Sequence, residues 1–183
     1  MSEIQQRYEK VADQFTQRAE AVPPGAWASP TPCDGWLARD VVRHLVSWIP
    51  GFFESYAGVS LATGPSVDDD PVGAWKALDH SIRAALDDPA TCARAFEVRG
   101  ARHRFDDAVA TFCIGDILVH TWDLARATGL DETLDPAEVR TALAGMAPVE
   151  EAMRQSGQYG PRVEVPPDAD EQTRLIAFSG RQP

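Results

Sequence analysis

Apolar residues recur every three to four positions along most of the chain, which is the spacing that one face of an α-helix requires. The first such segment starts near Ile4 and ends at Pro23, because proline has no N–H for the helix. The second runs from about Leu37 to Tyr56 and is apolar on two sides, as a central helix is. Pro50 inside this segment predicts a kink or an early stop.

Three further segments have the same period, and capping residues and breakers mark their ends. The third helix is predicted to begin after Asp70, a residue type that caps helix starts, with His80 on its outward side. The last two are predicted from Asp106 or Asp107 to Thr128, and from Asp135 to near Ser156 and Gly157. Residues 93–105 predict two short extended pieces around Arg99 and Gly100, and residues 175–178 a short apolar turn near the chain end.

Four long helices with connections of moderate length predict an all-α fold: a four-helix bundle with a fifth helix and a short C-terminal extension. The length of 183 residues suits one domain with a full core, so residues 1–183 are expected to form a single domain. Hydrophobic residues make up 44% and charged residues 25% of the chain, which is typical of soluble globular proteins.

The net charge narrows the classes of partner. A formal charge of -11 disfavours nucleic acid, whose phosphates bind basic patches, and it disfavours anionic membranes. The polar start of the chain predicts no signal peptide, and no segment is expected to span a membrane. Three cysteines without CxxC spacing fit a reducing compartment. We therefore expect a cytoplasmic protein that binds neither nucleic acid nor a membrane.

Titratable side chains lie on the inward side of the fourth predicted helix. On a helical period, Asp116 falls within about 60° of His120, among apolar neighbours. His44 lies in the same way on an apolar stripe of the second helix. A buried carboxylate is costly unless it finds partners. Two imidazoles and a carboxylate are ligands for zinc or nickel, and three protein ligands leave one position open, as in catalytic sites.

The same residues have a simpler interpretation. A carboxylate and a histidine four residues apart often form only an ordinary side-chain pair on a helix. Two core histidines bonded to Asp40 and Asp116 would also satisfy the buried polar groups. Asp40, four residues before His44, either orients that imidazole or stabilises the first turn of its helix. Both interpretations stay open, because periodicity does not determine which helices face each other.

Three segments resemble one known family. The segment TPCDGWLARDVVRHLV resembles the start of the second helix of DinB-like bundles, in particular of the mycothiol-dependent maleylpyruvate isomerase-like group. DILVHTWDLARATG is similar to that group's fourth-helix motif, and RLIAFSGR to its closing motif. The resemblance covers about residues 5–183. It implies a four-helix bundle that binds a divalent metal, commonly zinc or nickel, through His44, Asp116 and His120. The family's isomerase carries a glutamate at the position of Asp116.

The resemblance also implies a function in thiol chemistry. A bound metal would activate a low-molecular-weight thiol such as mycothiol, and the thiolate would attack an electrophilic substrate in a transferase or isomerase reaction. Two alternatives are kept beside it. One is a hydrolase in which the metal activates water, and the other is a non-catalytic module with a structural metal.

Several further residues have more than one candidate role, and no catalytic residue is identified. Asp123 either orients a ligand or a bound water, or stabilises the end of its helix, and it is the nearest candidate base for hydrolysis. Arg174 and Arg181 are candidates for binding an anionic substrate, with an ordinary surface position as the alternative. Leu118 and Trp122 face away from the site and are expected to pack against another helix or against the second subunit of a homodimer.

Overall fold

The computed structural model describes residues 1–155 and 159–183, and in these residues the fold is helical with one short β-hairpin. The first half contributes three long helices and a turn of 3₁₀-helix at Pro24–Ala28. The helices are α1 (Glu3–Ala21), α2 (Ala38–Ala57), α3 (Pro71–Asp87) and the single turn α4 (Pro89–Cys92). Strands β1 (Ala95–Val98) and β2 (Ala101–Arg104) then form an antiparallel hairpin.

The second half begins with one continuous helical run from Phe105 to Thr128. It comprises α5 (Phe105–Ala108), a π-helical turn (Val109–Cys113) and α6 (Ile114–Thr128). The remaining elements are α7 (Pro136–Met146), a 3₁₀ turn (Ala147–Val149), α8 (Glu150–Gln155) and α9 (Glu171–Phe178).

The core lies between α1, α2, α3 and α6. Helix α1 packs against α6 and α3, and α2 packs against α3 and α6. Every residue from Ile117 to Ala125 is buried, so α6 is central on all sides. Leu118 and Trp122 are therefore buried within the chain itself, against its other elements. The predicted all-α bundle is confirmed, with α2 and α6 as the helices that line its interior.

Helix ends follow from capping chemistry, as predicted. Asp70 accepts a hydrogen bond from the Gly73 N–H at 2.8 Å, and α3 starts directly after it with Pro71. Gly129 follows the last residue of α6 with φ of 72°, a left-handed conformation that glycine adopts without strain. His80 is exposed on α3, and the hairpin turns at Arg99 and Gly100. These local predictions are confirmed.

The predicted second helix is confirmed, since α2 spans Ala38–Ala57, but the alternative of an early stop at Pro50 was wrong. The helix continues through Pro50, because Pro50 is itself buried and the apolar face on both sides of it packs into the core. The predicted fifth helix breaks after Met146 into a 3₁₀ turn, where Pro148 lacks an N–H and would clash with the carbonyl one turn earlier. The predicted end of that helix at Ser156 and Gly157 lies outside the described residues.

The chain end is more regular than predicted. The apolar residues 175–178 belong to helix α9, which Asp170 caps, and this helix packs against α7. Leu175 and Ile176 are fully buried in the common core. The C-terminal segment is therefore held close to the bundle interior.

The run Phe105–Thr128 is long and apolar enough, by length and composition, to cross a membrane. The expectation that no segment is long and apolar enough to span a membrane was therefore wrong. Of its most apolar 18-residue window, 72% is buried inside the protein. A helix buried on all sides has the same composition as a membrane span, and here burial in the bundle accounts for it.

Candidate metal centre

Helices α2 and α6 bring His44, Asp116 and His120 together, with His120 buried and the other two side chains half-buried. One ligand atom from each of the three lies within 4.8 Å of the others. His44 Nε2 lies 3.1 Å from Asp116 Oδ2, and His120 Nε2 lies 3.5 Å from Asp116 Oδ1. Ligands that surround zinc tetrahedrally, about 2.0–2.1 Å from the ion, lie about 3.3 Å from one another. The residues present therefore fit a divalent metal in donor type and in spacing.

Asp116 is the shared partner of both imidazoles. The indole Nε1 of Trp48 also donates a hydrogen bond to Asp116 Oδ2, at 2.9 Å. Burial alone would raise the pKa of Asp116, but the charge of His120 and the hydrogen bonds from His44 and Trp48 bring this pKa below its ordinary value. Asp116 is therefore ionised, which is the form that binds a metal.

His120 is held through its second ring nitrogen. Its Nδ1 lies 2.8 Å from Asp123 Oδ2, and Asp123 is fully buried. A carboxylate acceptor at Nδ1 assigns the proton to that nitrogen and turns Nε2 toward Asp116. Burial would lower the pKa of His120, but Asp116 and Asp123 raise it to about 10. Without a metal, the two carboxylates thus stabilise the protonated imidazole, and a metal would replace the Nε2 proton.

Arg181, near the chain end, completes this arrangement. Its Nε donates to Asp123 Oδ1 at 3.0 Å and its Nη2 to Asp123 Oδ2 at 2.8 Å. Burial would raise the pKa of Asp123, but the hydrogen bonds from His120 and Arg181 lower it to about 2. A two-pronged guanidinium–carboxylate pair of this kind compensates a buried charge well. The contacts of Asp123 are those of a residue that orients His120.

A second group of metal-ligating residue types lies next to the first. Cys33, His120 and Asp123 also place their ligand atoms within 4.8 Å of one another. Cys33 Sγ lies 3.4 Å from Asp123 Oδ2, and Arg181 Nη2 donates to that sulfur at 3.2 Å. Because the guanidinium already compensates the Asp123 charge at this position, this second group is poorly suited to a further cation.

The loop before α2 covers the two histidines. It turns at Gly35, whose φ of 74° suits glycine, and the Thr31 N–H donates to the Trp36 carbonyl at 2.9 Å. The Trp36 ring lies 5.8 Å from the His120 ring and nearly parallel to it, and 5.1 Å from the His44 ring. Trp36 therefore covers one side of both imidazoles.

Tyr159 belongs to the electrostatic surroundings of the centre. Burial and the negative charge of Asp116 raise the pKa of Tyr159 to about 12, against the opposing charge of Arg181. Its hydroxyl therefore keeps its proton at neutral pH.

Sequence reasoning assigned no role to four residues near the centre. Trp48 follows His44 by one helical turn, so the same spacing that placed the histidine could have indicated it. Cys33, Trp36 and Tyr159 lie outside regular helices. Their approach to the centre follows from loop geometry, which no periodicity predicts.

Two other predicted candidates lie elsewhere. Asp40 accepts a hydrogen bond from the Leu37 N–H at 2.9 Å and lies 3.4 Å from Arg43 Nε. Among the contacts described for residues 1–155 and 159–183, none joins Asp40 to His44, so its position is that of a helix-start carboxylate. Arg174 is exposed on α9.

A cleft of about 480 Å³ opens on another side of α2, between that helix and the segment before α3. Arg43 lines it and pairs with Asp68 at 2.7 Å. None of the three candidate ligands contributes to this cleft. The chemistry of the side chains therefore points to the interior cluster as the functional site.

Comparison with known proteins identifies the family. The family model described as the mycothiol maleylpyruvate isomerase N-terminal domain matches residues 8–125. The chain belongs to this family. The matched region includes the loop before α2 and all three candidate metal ligands. Membership in the mycothiol maleylpyruvate isomerase N-terminal domain family confirms the resemblance and indicates a mycothiol-related, metal-binding protein of the DinB-like type.

Two relatives resemble the chain over nearly its whole length. Uncharacterized protein MT0763 of Mycobacterium tuberculosis (strain CDC 1551 / Oshkosh) and uncharacterized protein Rv0738 of Mycobacterium tuberculosis (strain ATCC 25618 / H37Rv) are each 28% identical to it. The alignment with each covers 95% of this chain and 95% of the relative. No solved structure matches the chain significantly.

Proposed function

We propose that the protein is a divalent-metal-dependent enzyme that uses a low-molecular-weight thiol, mycothiol, in transferase or isomerase chemistry. The observation that carries the proposal is the cluster of His44, Asp116 and His120, whose ligand atoms lie within 4.8 Å of one another. Zinc or nickel suits two imidazoles and one carboxylate. When bound, the metal supplies a positive charge that lowers the pKa of a thiol and stabilises its thiolate. We place this chemistry in the cytoplasm, where thiols stay reduced.

The charges around the centre favour one anionic ligand from outside the protein. Asp123 and Arg181 compensate each other, so Asp116 is the one uncompensated negative charge among the described residues of the centre when both imidazoles are neutral. A divalent cation at this position leaves one unit of positive charge in excess. One thiolate would neutralise that excess, whereas a neutral ligand would leave it uncompensated at a half-buried site.

Among the described residues of the centre, two candidate bases do not suit the hydrolytic alternative. Asp123, the predicted candidate, is fully buried, is bonded to His120 and Arg181, and has a pKa of about 2. Tyr159, with a pKa of about 12, keeps its proton at neutral pH. A general base needs a pKa near the working pH and a lone pair that faces the substrate. These two residues do not meet those conditions, which favours thiol chemistry over hydrolysis.

Each residue of the centre has a distinct part in the proposed function. The three ligands would hold the metal, and the metal would supply the positive charge that stabilises the thiolate. Asp123 keeps the His120 proton on Nδ1, and Trp48 holds the Asp116 carboxylate in place through its indole N–H. Trp36 covers the imidazoles and limits the access of water.

Calorimetric titration of zinc into chelator-treated protein tests the metal site. We expect one site in the wild type, and no binding in His44→Ala or His120→Ala. His80→Ala, which removes an exposed histidine on α3, is the matched control and should bind zinc like the wild type. Unchanged zinc affinity in both ligand variants would refute the site.

Mycothiol binding separates the enzymatic proposal from a structural metal. Mycothiol is expected to bind the zinc-loaded protein and to bind the chelator-treated protein far more weakly. If zinc binds at the predicted site but mycothiol does not bind to the loaded protein, the thiol-dependent function fails and a structural role for the metal is favoured.

A further inference from the structure

Aromatic side chains leave the metal centre along one face of α2. Trp48, Phe52 and Tyr56 follow His44 at successive intervals of four residues, which places them on the same side of the helix. Phe112, in the π-helical turn, meets them from the neighbouring helical run, with its ring centroid 5.1 Å from that of Phe52. Trp48, Phe52, Tyr56 and Phe112 are named the aromatic stripe.

The aromatic stripe is continuous with the centre. Ring centroids are 6.0 Å apart between His44 and Trp48, 6.0 Å between Trp48 and Phe52, and 5.1 Å between Phe52 and Tyr56. These separations are typical of aromatic pairs in contact. The first ring of the stripe also donates a hydrogen bond to the candidate ligand Asp116. A molecule bound at the centre would therefore have an apolar surface directly beside it.

The aromatic stripe is partly open to solvent, unlike the core next to it. Tyr56 is 48% exposed, and the other three rings are half-buried. Phe53, adjacent to the stripe in sequence, is fully buried. A ligand that covers apolar side chains of this kind removes them from water, which favours binding, and a contiguous exposed apolar patch is a candidate for such contact.

The charges at the centre determine what kind of molecule suits this surface. Arg181 is the cation that the described contacts place at the centre, and it donates to Asp123 and to the Ser179 carbonyl. Its donors are thus engaged within the protein. With a metal and one thiolate present, the centre carries no excess charge. An anionic second substrate would meet no compensating charge there, whereas an uncharged ring would stack on the aromatic stripe.

We infer that the aromatic stripe binds the apolar, aromatic part of an uncharged electrophile, the second substrate of the enzyme. This inference rests on the proposed function and adds the class of substrate to it. It assigns Phe52 and Phe112 to substrate specificity, because they are the half-buried rings that lie beyond Trp48.

Binding of N-phenyl-1-naphthylamine, an uncharged aromatic probe, tests the inference without turnover. The probe is expected to bind the zinc-loaded wild type saturably, and to bind Phe112→Ala and Phe52→Leu at least about tenfold more weakly, which corresponds to about 1.4 kcal/mol. Val149→Ala is the matched control, because it truncates another exposed apolar side chain outside the stripe. The anion 1-naphthoate should bind the wild type more weakly than the uncharged probe does. Circular dichroism checks that each variant is folded.

Relaxation of the probe's proton signals locates the bound molecule. With Co²⁺ in place of zinc, the relaxation of bound probe should be enhanced relative to the zinc-loaded protein, and Phe112→Ala should reduce this enhancement. If no metal binds, the proposed function fails, while probe fluorescence with metal-free wild type and variants still tests the stripe. Equal probe binding by wild type and both stripe variants overturns the inference. It is also overturned if the wild type binds no probe and is a dimer that Phe112→Ala converts to monomers, since the stripe is then a subunit interface.

Discussion

Asp123 is a single side chain on which several parts of the centre depend. It is fully buried, it accepts a hydrogen bond from the Nδ1–H of His120, and it is paired with Arg181 through two hydrogen bonds. On the helical period, Asp123 lies at the margin of the inward face of α6. The sequence was therefore compatible with two roles, which were to orient a ligand or a bound water and to stabilise the end of the helix. The contacts favour the orienting role, since Asp123 connects His120 to Arg181, a cation 58 residues beyond Asp123 in the chain.

Asp123→Asn is expected to weaken zinc binding by about 10–100-fold, because the amide removes the charged partner that orients His120. The free energy of unfolding should fall by about 3–5 kcal/mol, because Arg181 keeps its buried charge without a counter-charge. Competition with a chromophoric chelator measures the affinity, and urea unfolding measures the stability.

The double variant Asp123→Leu, Arg181→Met provides the control for that prediction. Replacing both partners by apolar side chains should restore part of the stability that Asp123→Asn loses, while the zinc affinity stays low. Zinc affinity equal to that of the wild type in Asp123→Asn would contradict the orienting role.

Trp48→Phe is expected to lower zinc affinity by about fivefold, which corresponds to the loss of one hydrogen bond of about 1 kcal/mol. The ring is kept, so the stability of the fold should change little. Trp27→Phe, outside the centre, is the control and should leave the affinity unchanged. If Trp48→Phe binds zinc with the same affinity as Trp27→Phe and the wild type, the indole N–H of Trp48 contributes nothing to the position of Asp116.

At the scale of elements, the π-helical turn at Val109–Cys113 is a local change of helix type that the regular spacing of apolar residues does not predict. Sequence reasoning assumed 3.6 residues per turn from Asp106 to Thr128. A π-helical turn has a wider hydrogen-bond pattern, and such turns occur frequently at functional sites. Here it precedes Asp116 by a few residues and carries Phe112 of the aromatic stripe. The inward position of Asp116 and His120 was still predictable, because both lie in the regular helix after the turn.

Helix α9 connects the chain end to the centre, and its N-cap offers a test of this connection. Asp170 accepts hydrogen bonds from the Thr173 N–H at 2.8 Å and from the Thr173 hydroxyl at 2.9 Å. The hydrogen bond from the Thr173 backbone and that from its hydroxyl lower the pKa of Asp170. The ionised carboxylate therefore stabilises the helix that leads to Arg181.

Asp170→Ala is expected to cost about 1 kcal/mol of unfolding free energy at neutral pH. Because the pKa of Asp170 is lower in the folded state, its contribution is fully present above the unfolded value of about 3.9 and is lost as pH falls through the folded pKa. The difference between wild type and Asp170→Ala should therefore shrink below about pH 4. Asp170→Asn, which keeps a capping oxygen without the charge, should lie between the wild type and Asp170→Ala at neutral pH, and its stability relative to Asp170→Ala should not change over this pH range. Urea unfolding above and below about pH 4 measures this difference in unfolding free energy. If the difference between wild type and Asp170→Ala does not change with pH, the charge of the cap does not contribute.

For the molecule as a whole, a bound metal should stabilise the fold, because the three ligands meet only when α2 and α6 are packed together. At a zinc concentration of 100 times the Kd, the gain is about 2.7 kcal/mol. For a chain of this length that gain raises Tm by roughly 5–10 °C. Thermal unfolding with and without zinc measures the shift, and a chelator should reverse it. His44→Ala should show no shift and His80→Ala the full one; an equal shift in both would place the metal elsewhere.

The single-domain prediction for residues 1–183 also belongs to this scale. The family match ends at residue 125, yet α9 lies beyond it and buries Leu175 and Ile176 in the common core. Arg181 then reaches Asp123 inside the matched region. A single domain over residues 1–183 stays a prediction, and on this packing we expect the chain to unfold as one unit.

The sequence by itself determined the helices, most of their ends and the family. Apolar periodicity, Asp70, Gly129 and the prolines act through local backbone geometry, so they can be read without a fold. The same local geometry placed Asp116 and His120 one turn apart on an inward face, and the family motifs indicated His44 as their partner.

Only the tertiary structure decided that α2 and α6 face each other, and that loops bring Cys33, Trp36 and Tyr159 to the centre. The partnership of Asp123 with Arg181, the passage of α2 through Pro50 and the break after Met146 were decided at the same level. Each of these features depends on a balance between the free energy gained by packing the entire core and the free energy lost by unfavourable local structure. Contacts between residues far apart in the chain have no period in the sequence, which is why the candidate ligands could be predicted and their surroundings could not.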